Sequence, residues 1–169
     1  MNAGAHGQDF SQVTRSVEVA DATGHVRTIR TEAITWRYRS SGLDDLVVLS
    51  ASLELAPDDP KKTRDELALY LKKRREGTPF DEPCCGSVFR NPDTARSAGQ
   101  LIEACGLKGH QVGDAQVSPK HANYIVNLGS ATAADVLTVV RTAQERVQAE
   151  FGVTLEPEVK LIGFSGAPA

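Results

Sequence analysis

Residues 132–150 carry the clearest helical pattern in the chain, and this helix limits which folds are possible. Its apolar residues recur every three or four positions, so they fall on one face. That face consists of Val136, Val140, Ala143, Val147 and Phe151. Thr132 and Asp135 have the spacing of a capping box, which marks the start of a helix. A helix with a single apolar face has to pack on another layer of secondary structure.

Strand patterns supply that second layer. Residues 13–20 and 26–31 are rich in β-formers, and the turn residues 21–24 between them predict a hairpin. Residues 45–55 predict a third strand. The remaining pattern alternates, with helices predicted at 61–76 and 94–105 and strands at 121–127 and 153–164. We therefore predict an α+β (α/β) fold.

Composition limits the functional classes. The 169 residues carry a net charge of −3, which argues against a large nucleic-acid-binding face. The basic run 72–75 fits the solvated end of a helix, where cations suit the helix dipole. No apolar run is long enough to span a membrane, no leader pattern indicates secretion, and three cysteines are too few for a disulfide framework or a zinc site. These features predict a cytoplasmic protein.

A few polar residues could carry chemistry. Ser87 follows a glycine in what reads as a loop, where its hydroxyl could act on a ligand or simply bond its own backbone. Arg39 could bind a carboxylate through two hydrogen bonds, and Glu158 could act as an acid, although both residue types are usually solvated. His121, beside Lys120, could contact a phosphate or be structural. These residues alone do not identify a reaction.

Several motifs, taken in order, are more specific than any single residue. They are Asn-Ala-Gly-Ala-His-Gly at 2–7, Tyr-Arg-Ser-Ser at 38–41, Gly-Ser-Val-Phe-Arg-Asn-Pro at 86–92, Lys-His-Ala-Asn at 120–123 and Leu-Glu-Pro-Glu-Val at 155–159. Together they resemble the UDP-N-acetylenolpyruvoylglucosamine reductase family over nearly the whole chain. That family has a split FAD-binding region followed by an α/β substrate-binding domain.

The resemblance implies a division of the chain into three parts. Residues 1–57 would be a remnant of the FAD-binding region, 58–79 a linker helix, and 80–169 the C-terminal substrate-binding domain. The family's first portion, with its Gly-Ser-Asn segment for the FAD pyrophosphate, has no match here. We therefore expect an N-terminally truncated chain, arising from an internal start, an engineered fragment or a split gene.

The resemblance also implies a reaction, the reduction of UDP-N-acetylglucosamine enolpyruvate to UDP-N-acetylmuramate in peptidoglycan synthesis. NADPH would reduce FAD, which would pass hydride to the enolpyruvyl C3. Ser87 would donate the proton to C2. Arg39 would hold the substrate carboxylate and stabilise the enolate, and Glu158 would act as an acid or orient Arg39.

Binding residues carry over by position in the same way. Asn2, Ala3, Gly4 and Gly7 would lie near the flavin, and Tyr38, Asn91 and His121 would contact the substrate. No metal and no obligate protein partner is implied. One alternative is a non-catalytic fragment or UDP-sugar-binding module that cannot hold FAD. Another, weaker one is an RNA binder that uses the basic run at 72–75.

Overall fold

The structure is a computed structural model that describes residues 1–163. It divides into two compact units, unit 1 (Met1–Thr63) and unit 2 (Arg64–Ala169), so the boundary falls inside a helix. The three-part division at residues 57 and 79 stays a prediction.

Unit 1 is built on a three-stranded antiparallel sheet. Its strands are β3 (Thr14–Ala20), β4 (Val26–Arg30) and β5 (Val47–Leu53), in the order β4-β3-β5. The predicted hairpin is confirmed, because Ala20 pairs with Val26 across the turn. A small core of Val17, Val19 and Ile34 lies on one side of this sheet. A separate short hairpin, β1 (Gly4–Ala5) with β2 (Gln8–Asp9), precedes the sheet.

The predicted polar helix is α1 (Pro60–Gly77), and it runs across the boundary between the two units. None of its residues is buried. Its three predicted apolar residues, Leu67, Tyr70 and Leu71, are all exposed. The helix therefore makes no contribution to either core.

Unit 2 packs two helices on a four-stranded antiparallel sheet. The strands are β6 (Cys84–Ser87), β7 (Gln111–Val112), β8 (Ala115–Val117) and β9 (Tyr124–Asn127), in the order β6-β9-β8-β7. The helices are α2 (Ala98–Ala104) and α3 (Ala133–Phe151). Helices combined with purely antiparallel sheets confirm the α+β class.

Helix α3 begins and ends where the sequence predicts. Thr132 Oγ1 accepts the backbone N–H of Asp135 at 3.1 Å, and Asp135 Oδ2 accepts that of Thr132 at 2.8 Å, so the capping box is confirmed. Gly152 ends the helix with φ +67°. Val140, Ala143 and Val147 of the predicted face are buried, whereas Val136 and Phe151 pack at the rim of the core.

Two predicted boundaries are wrong. Helix α2 starts at Ala98 rather than residue 94, because Ser97 and Gln100 form a capping box that fixes the start later. The strand predicted at 121–127 starts at Tyr124, whose N–H donates to His121 O across a turn. Residues 94–97 and 121–123 therefore belong to connections rather than to regular elements.

The strand predicted at 153–164 does not form in the part that the structure describes. Residues 153–163 follow an irregular path with one β-bridge, between Phe89 and Pro157. Pro157 has no N–H, so it cannot extend a ladder. Residue 164 lies outside the described residues. Strand β6, read from the sequence as part of a loop, and the hairpin of β7 with β8 were not predicted.

Residues 1–163 contain no group of three potential metal ligands among His, Cys, Asp and Glu. None of the helices in this range has the length and apolarity to cross a membrane. The three cysteines are free thiols.

Candidate functional site

Ser87 lies at the end of strand β6, in unit 2, where the strand is irregular. It pairs with Tyr124 of β9, and the register shifts between Cys84 and Ser87. Gly86 has φ +85° at this irregularity, a conformation that favours glycine. Ser87 is half-buried. A bulge of this kind redirects the residue that follows it, which is common beside functional sites.

Glu158 lies beside the same segment, on the irregular stretch after α3. Its backbone N–H donates to Val88 O at 2.8 Å, and Arg90 N–H donates to Glu156 O at 2.9 Å. These bonds flank the Phe89–Pro157 bridge. Ser87 and Glu158, 71 positions apart in the sequence, are thereby brought to adjoining stretches of backbone.

Asn91 and His121, both expected to contact the substrate, have internal partners. Asn91 Oδ1 accepts the N–H of Ala98 at 3.2 Å, at the start of α2. His121 Nδ1 accepts the N–H of Asn123 at 3.1 Å, and its ring meets the Tyr124 ring edge-on at 4.9 Å. An Nδ1 that accepts a hydrogen bond leaves the proton of the neutral ring on Nε2.

The charge state of His121 follows from its surroundings. Burial lowers the pKa of His121 below its usual 6.5, and the nearby Lys108 ammonium lowers it further. The ring is therefore neutral at pH 7. A neutral imidazole with its proton on Nε2 can donate one hydrogen bond to a ligand from that atom.

Arg39 and Tyr38 occupy the centre of a tight turn in unit 1. Arg37 N–H donates to Ser40 O at 2.9 Å, and Ser40 N–H returns a bond to Arg37 O at 3.2 Å. Arg39 has φ +56°, which is uncommon for a residue with a side chain and is often found at functional sites. Its guanidinium carbon lies 4.9 Å from the centre of the Tyr38 ring.

The residues expected near the flavin form the hairpin of β1 and β2. Asn2 is buried, and its amide donates to Arg37 O at 3.2 Å and accepts from Ser11 N–H at 3.0 Å. Asn2 thus ties this hairpin to the turn that carries Arg39. A Cβ on Gly4 would lie 2.8 Å from Gln8 O, so only glycine fits there. Ala3 and Gly7 are exposed.

Unit 2 contains a cationic pocket that the sequence did not predict. It has a volume of about 560 Å³, and one acid faces three cations in it. Its lining residues are Leu71, Arg74, Arg75, Phe80, Asp81 and Lys120. Arg74 and Arg75 are exposed in the last turn of α1, as the sequence predicts for the solvated end of a helix, and they also line this pocket. Only the tertiary fold reveals the pocket, because Lys120 is far from that run in the sequence.

Comparisons with known proteins agree with this architecture. Residues 78–162, half of the chain, match the model of the UDP-N-acetylenolpyruvoylglucosamine reductase C-terminal domain. The chain is 46% identical to the UDP-N-acetylenolpyruvoylglucosamine reductase of Chloroherpeton thalassium, over 98% of this chain and 55% of that protein. It is 45% identical to that of Gloeobacter violaceus, over 96% of this chain and 56% of that protein.

A solved structure shares the fold as well as the sequence. The crystal structure of UDP-N-acetylenolpyruvylglucosamine reductase (MurB) from Thermus caldophilus superposes with a TM-score of 0.80 at 37% identity, covering 94% of this chain and 57% of that one. The chain thus spans about half the length of the relatives that it matches. By its matched domain, the chain belongs to the UDP-N-acetylenolpyruvoylglucosamine reductase family.

Proposed function

We propose that this chain forms the substrate-binding and proton-donating part of an FAD- and NADPH-dependent reductase. The enzyme converts UDP-N-acetylglucosamine enolpyruvate to UDP-N-acetylmuramate for peptidoglycan synthesis. The observation that carries the proposal is the bridge that joins the segments of Ser87 and Glu158 within the domain that matches the family. A hydroxyl and a carboxyl on adjoining backbone suit a step in which one proton is delivered beside a charged intermediate.

The cationic pocket suits the nucleotide end of this substrate. A UDP-sugar carries a diphosphate, and the pocket offers three cations against the single acid Asp81. The Arg74 guanidinium lies 5.9 Å from the centre of the Phe80 ring, which leaves Arg75 and Lys120 for the diphosphate. Phe80 supplies an aromatic surface of the kind on which a base can stack. We assign the diphosphate to Arg75 and Lys120 and the uracil to Phe80.

Three residues have proposed roles in the reaction. Ser87 Oγ gives its proton to C2 of the substrate. A serine hydroxyl is a weak acid, so it acts only on a carbon that already carries negative charge. Arg39, in unit 1, binds the substrate carboxylate and stabilises the enolate charge. Glu158 acts as an acid at the carboxylate end of the substrate.

The hairpin of β1 and β2 fits a flavin to a limited extent. The amide of Asn2 is used internally and Gly4 packs on Gln8, so these two residues would hold the hairpin's shape. Ala3 and Gly7 leave backbone exposed, where a flat ring can approach closely. When bound, FAD supplies the hydride chemistry, which no side chain can perform.

The test of the proposed chemistry is Ser87→Ala in FAD-loaded protein, with NADPH and the enolpyruvyl substrate. We expect flavin reduction by NADPH to persist and product formation to fall by about 10²–10⁴-fold, the usual contribution of a positioned acid. Ser130→Ala, at an exposed serine in the same unit, is the control and should turn over normally. Turnover of Ser87→Ala within a few-fold of the unchanged protein would exclude Ser87 as the proton donor.

One observation favours a second candidate, a UDP-sugar-binding module without flavin. Every residue that lines the cationic pocket belongs to unit 2, so nucleotide binding need not involve unit 1. Titrating the 169-residue chain with FAD and, separately, with UDP-N-acetylglucosamine distinguishes the two. Saturable binding of FAD supports the reductase, whereas binding of the UDP-sugar alone by folded protein supports the module.

A further inference from the structure

Asn123 is a buried polar residue, only 4% exposed, that bonds to the backbone just after Ser87. Its side-chain Oδ1 accepts the N–H of Phe89 at 2.9 Å, and its Nδ2 donates to Phe89 O at 2.8 Å. Its own carbonyl accepts the N–H of Val88 at 2.9 Å. Three hydrogen bonds from one residue therefore fix the two positions that follow Ser87.

The side chain of Asn123 makes the hydrogen bonds that a neighbouring strand would otherwise make to Phe89. The pairing of β6 with β9 ends at Ser87 and Tyr124. Beyond that point an amide, which has one donor and one acceptor on a single carbon, satisfies both backbone groups of Phe89 as a neighbouring strand residue would. Phe89 is itself buried, so either group left without a partner would cost free energy.

Asn123 also holds His121. Its backbone N–H donates to His121 Nδ1 at 3.1 Å, which directs the remaining ring proton to Nε2. The Gly99 backbone packs closely against the His121 ring. A Cβ at this position would lie 3.0 Å from His121 Cε1 and 3.6 Å from the Cβ of Asn123. The ring therefore has little room to take another orientation.

We propose that Asn123 is a positioning residue for the reaction, setting the place of Ser87 Oγ through Phe89 and the orientation of His121 through its own backbone. The proposal rests on the proposed function, which makes Ser87 the proton donor. Because Asn123 is buried, it acts through these two residues and does not touch the substrate. Its influence should appear at the enolpyruvyl end of the substrate and not at the uridine diphosphate end, which is assigned to Arg75 and Lys120.

The experiment compares the affinities of the 169-residue chain for UDP-N-acetylglucosamine enolpyruvate and for UDP, by calorimetry. Asn123→Ala should lower the affinity for the enolpyruvyl nucleotide about tenfold or more, as expected when buried hydrogen bonds are lost. The affinity for UDP should fall less than about twofold. The matched control is Asn127→Ala. Asn127 lies at the end of β9, four positions after Asn123, and its Oδ1 accepts two backbone N–H groups, of Gly129 at 2.9 Å and Ala131 at 3.0 Å. Those groups are not in the Ser87 segment, so this variant should leave the ratio of the two affinities unchanged.

Asn123→Asp provides a rescue that a merely structural role would not produce. The ionised carboxylate accepts from Phe89 N–H but repels Phe89 O, whereas the protonated acid can donate to it. Affinity for the enolpyruvyl nucleotide, relative to the unchanged chain at each pH, should therefore be low at neutral pH and recover in mild acid. This variant also tests the proposal if Asn123→Ala does not fold.

The results distinguish a failure of the positioning role from a failure of the proposed function. A selective loss in Asn123→Ala with acid recovery in Asn123→Asp supports the positioning role. If the affinities for both ligands fall equally, or if neither falls, the positioning role is wrong, while the proposed function still stands. If the unchanged, folded chain binds neither nucleotide, the proposed function of this chain is wrong and the inference fails with it.

Discussion

Truncating Leu155 should loosen the segment that carries Glu158, because Leu155 is its fully buried side chain. Leu155 is 0% exposed and belongs to the main core of unit 2, together with Phe89 and Val147. No regular strand holds its segment. The segment is held by this side chain, by the partly buried Val153 and Val159, by the bridge at Pro157 and by a few backbone hydrogen bonds.

The stability lost in Leu155→Ala depends on how far the surrounding residues can move into the cavity. A buried leucine replaced by alanine costs about 2–5 kcal/mol, and the cost rises with the cavity that remains. Leu155 O accepts a hydrogen bond from Gln144 Nε2 at 2.9 Å, and Glu156 O accepts one from Arg90 N–H at 2.9 Å. The backbone is thus fixed on both sides of the new cavity, and we expect about 3–5 kcal/mol of lost stability for Leu155→Ala. With a urea m-value of about 2 kcal/mol per M, the unfolding midpoint should fall by about 2 M.

Urea unfolding followed by far-UV circular dichroism measures this loss, and amide hydrogen exchange at Glu158 reports the local attachment. The control is Leu128→Ala, because Leu128 is 46% exposed in the same unit and its truncation should cost less than about 1 kcal/mol. If Leu155→Ala shifts the midpoint no further than the control and leaves exchange at Glu158 unchanged, the side chain does not anchor this segment.

Two further predictions concern the backbone and a titrating group. Gly113→Ala should destabilise the chain more than Gly152→Ala in urea unfolding. Both glycines have positive φ, but a Cβ on Gly113 would lie 2.8 Å from the Asp135 carboxyl of the capping box, whereas Gly152 faces open space. For His121, the neutral form is favoured in the folded state, so its contribution to stability is complete above the unfolded pKa of 6.5 and is lost as the pH falls through the folded pKa. An NMR titration of the imidazole should give a pKa below 6.5, and His121→Gln should remove this part of the pH dependence. A pKa at or above 6.5 would contradict the assigned burial.

The helices could be predicted because their signals are local. The capping box of Thr132 and Asp135 and the glycine at 152 fix α3 within a residue at either end. Strand β6 could not be found this way, because Cys-Cys-Gly-Ser has no alternating pattern and forms by pairing with β9. At 153–164 a strand was predicted, and it does not form in the part that the structure describes, because apolar residues that alternate toward a core need not belong to a sheet. Leu155 is buried in just this way without a ladder.

The sequence motifs indicated the candidate residues of the site, but they did not indicate the tertiary contacts that position these residues. The residues alone offered Ser87 and Glu158 as candidates, but only the family resemblance assigned them roles. The bridge at Pro157, which joins their segments, is a feature of the tertiary fold. The partners of Asn123 and the cations that join Lys120 in the pocket depend on contacts between residues more than thirty positions apart. No periodicity or spacing in the sequence encodes such contacts, so they could not be predicted.

Each unit uses one buried asparagine to hold the backbone close to a candidate catalytic residue. In unit 1, Asn2 bonds to the backbone at Arg37, two positions before Arg39, and in unit 2, Asn123 bonds to Phe89, two positions after Ser87. A neutral amide suits this task better than an ion pair, because it satisfies a backbone donor and acceptor without placing a charge near the ligand. In each unit, the backbone beside the candidate residue is therefore held by neutral hydrogen bonds of a buried asparagine.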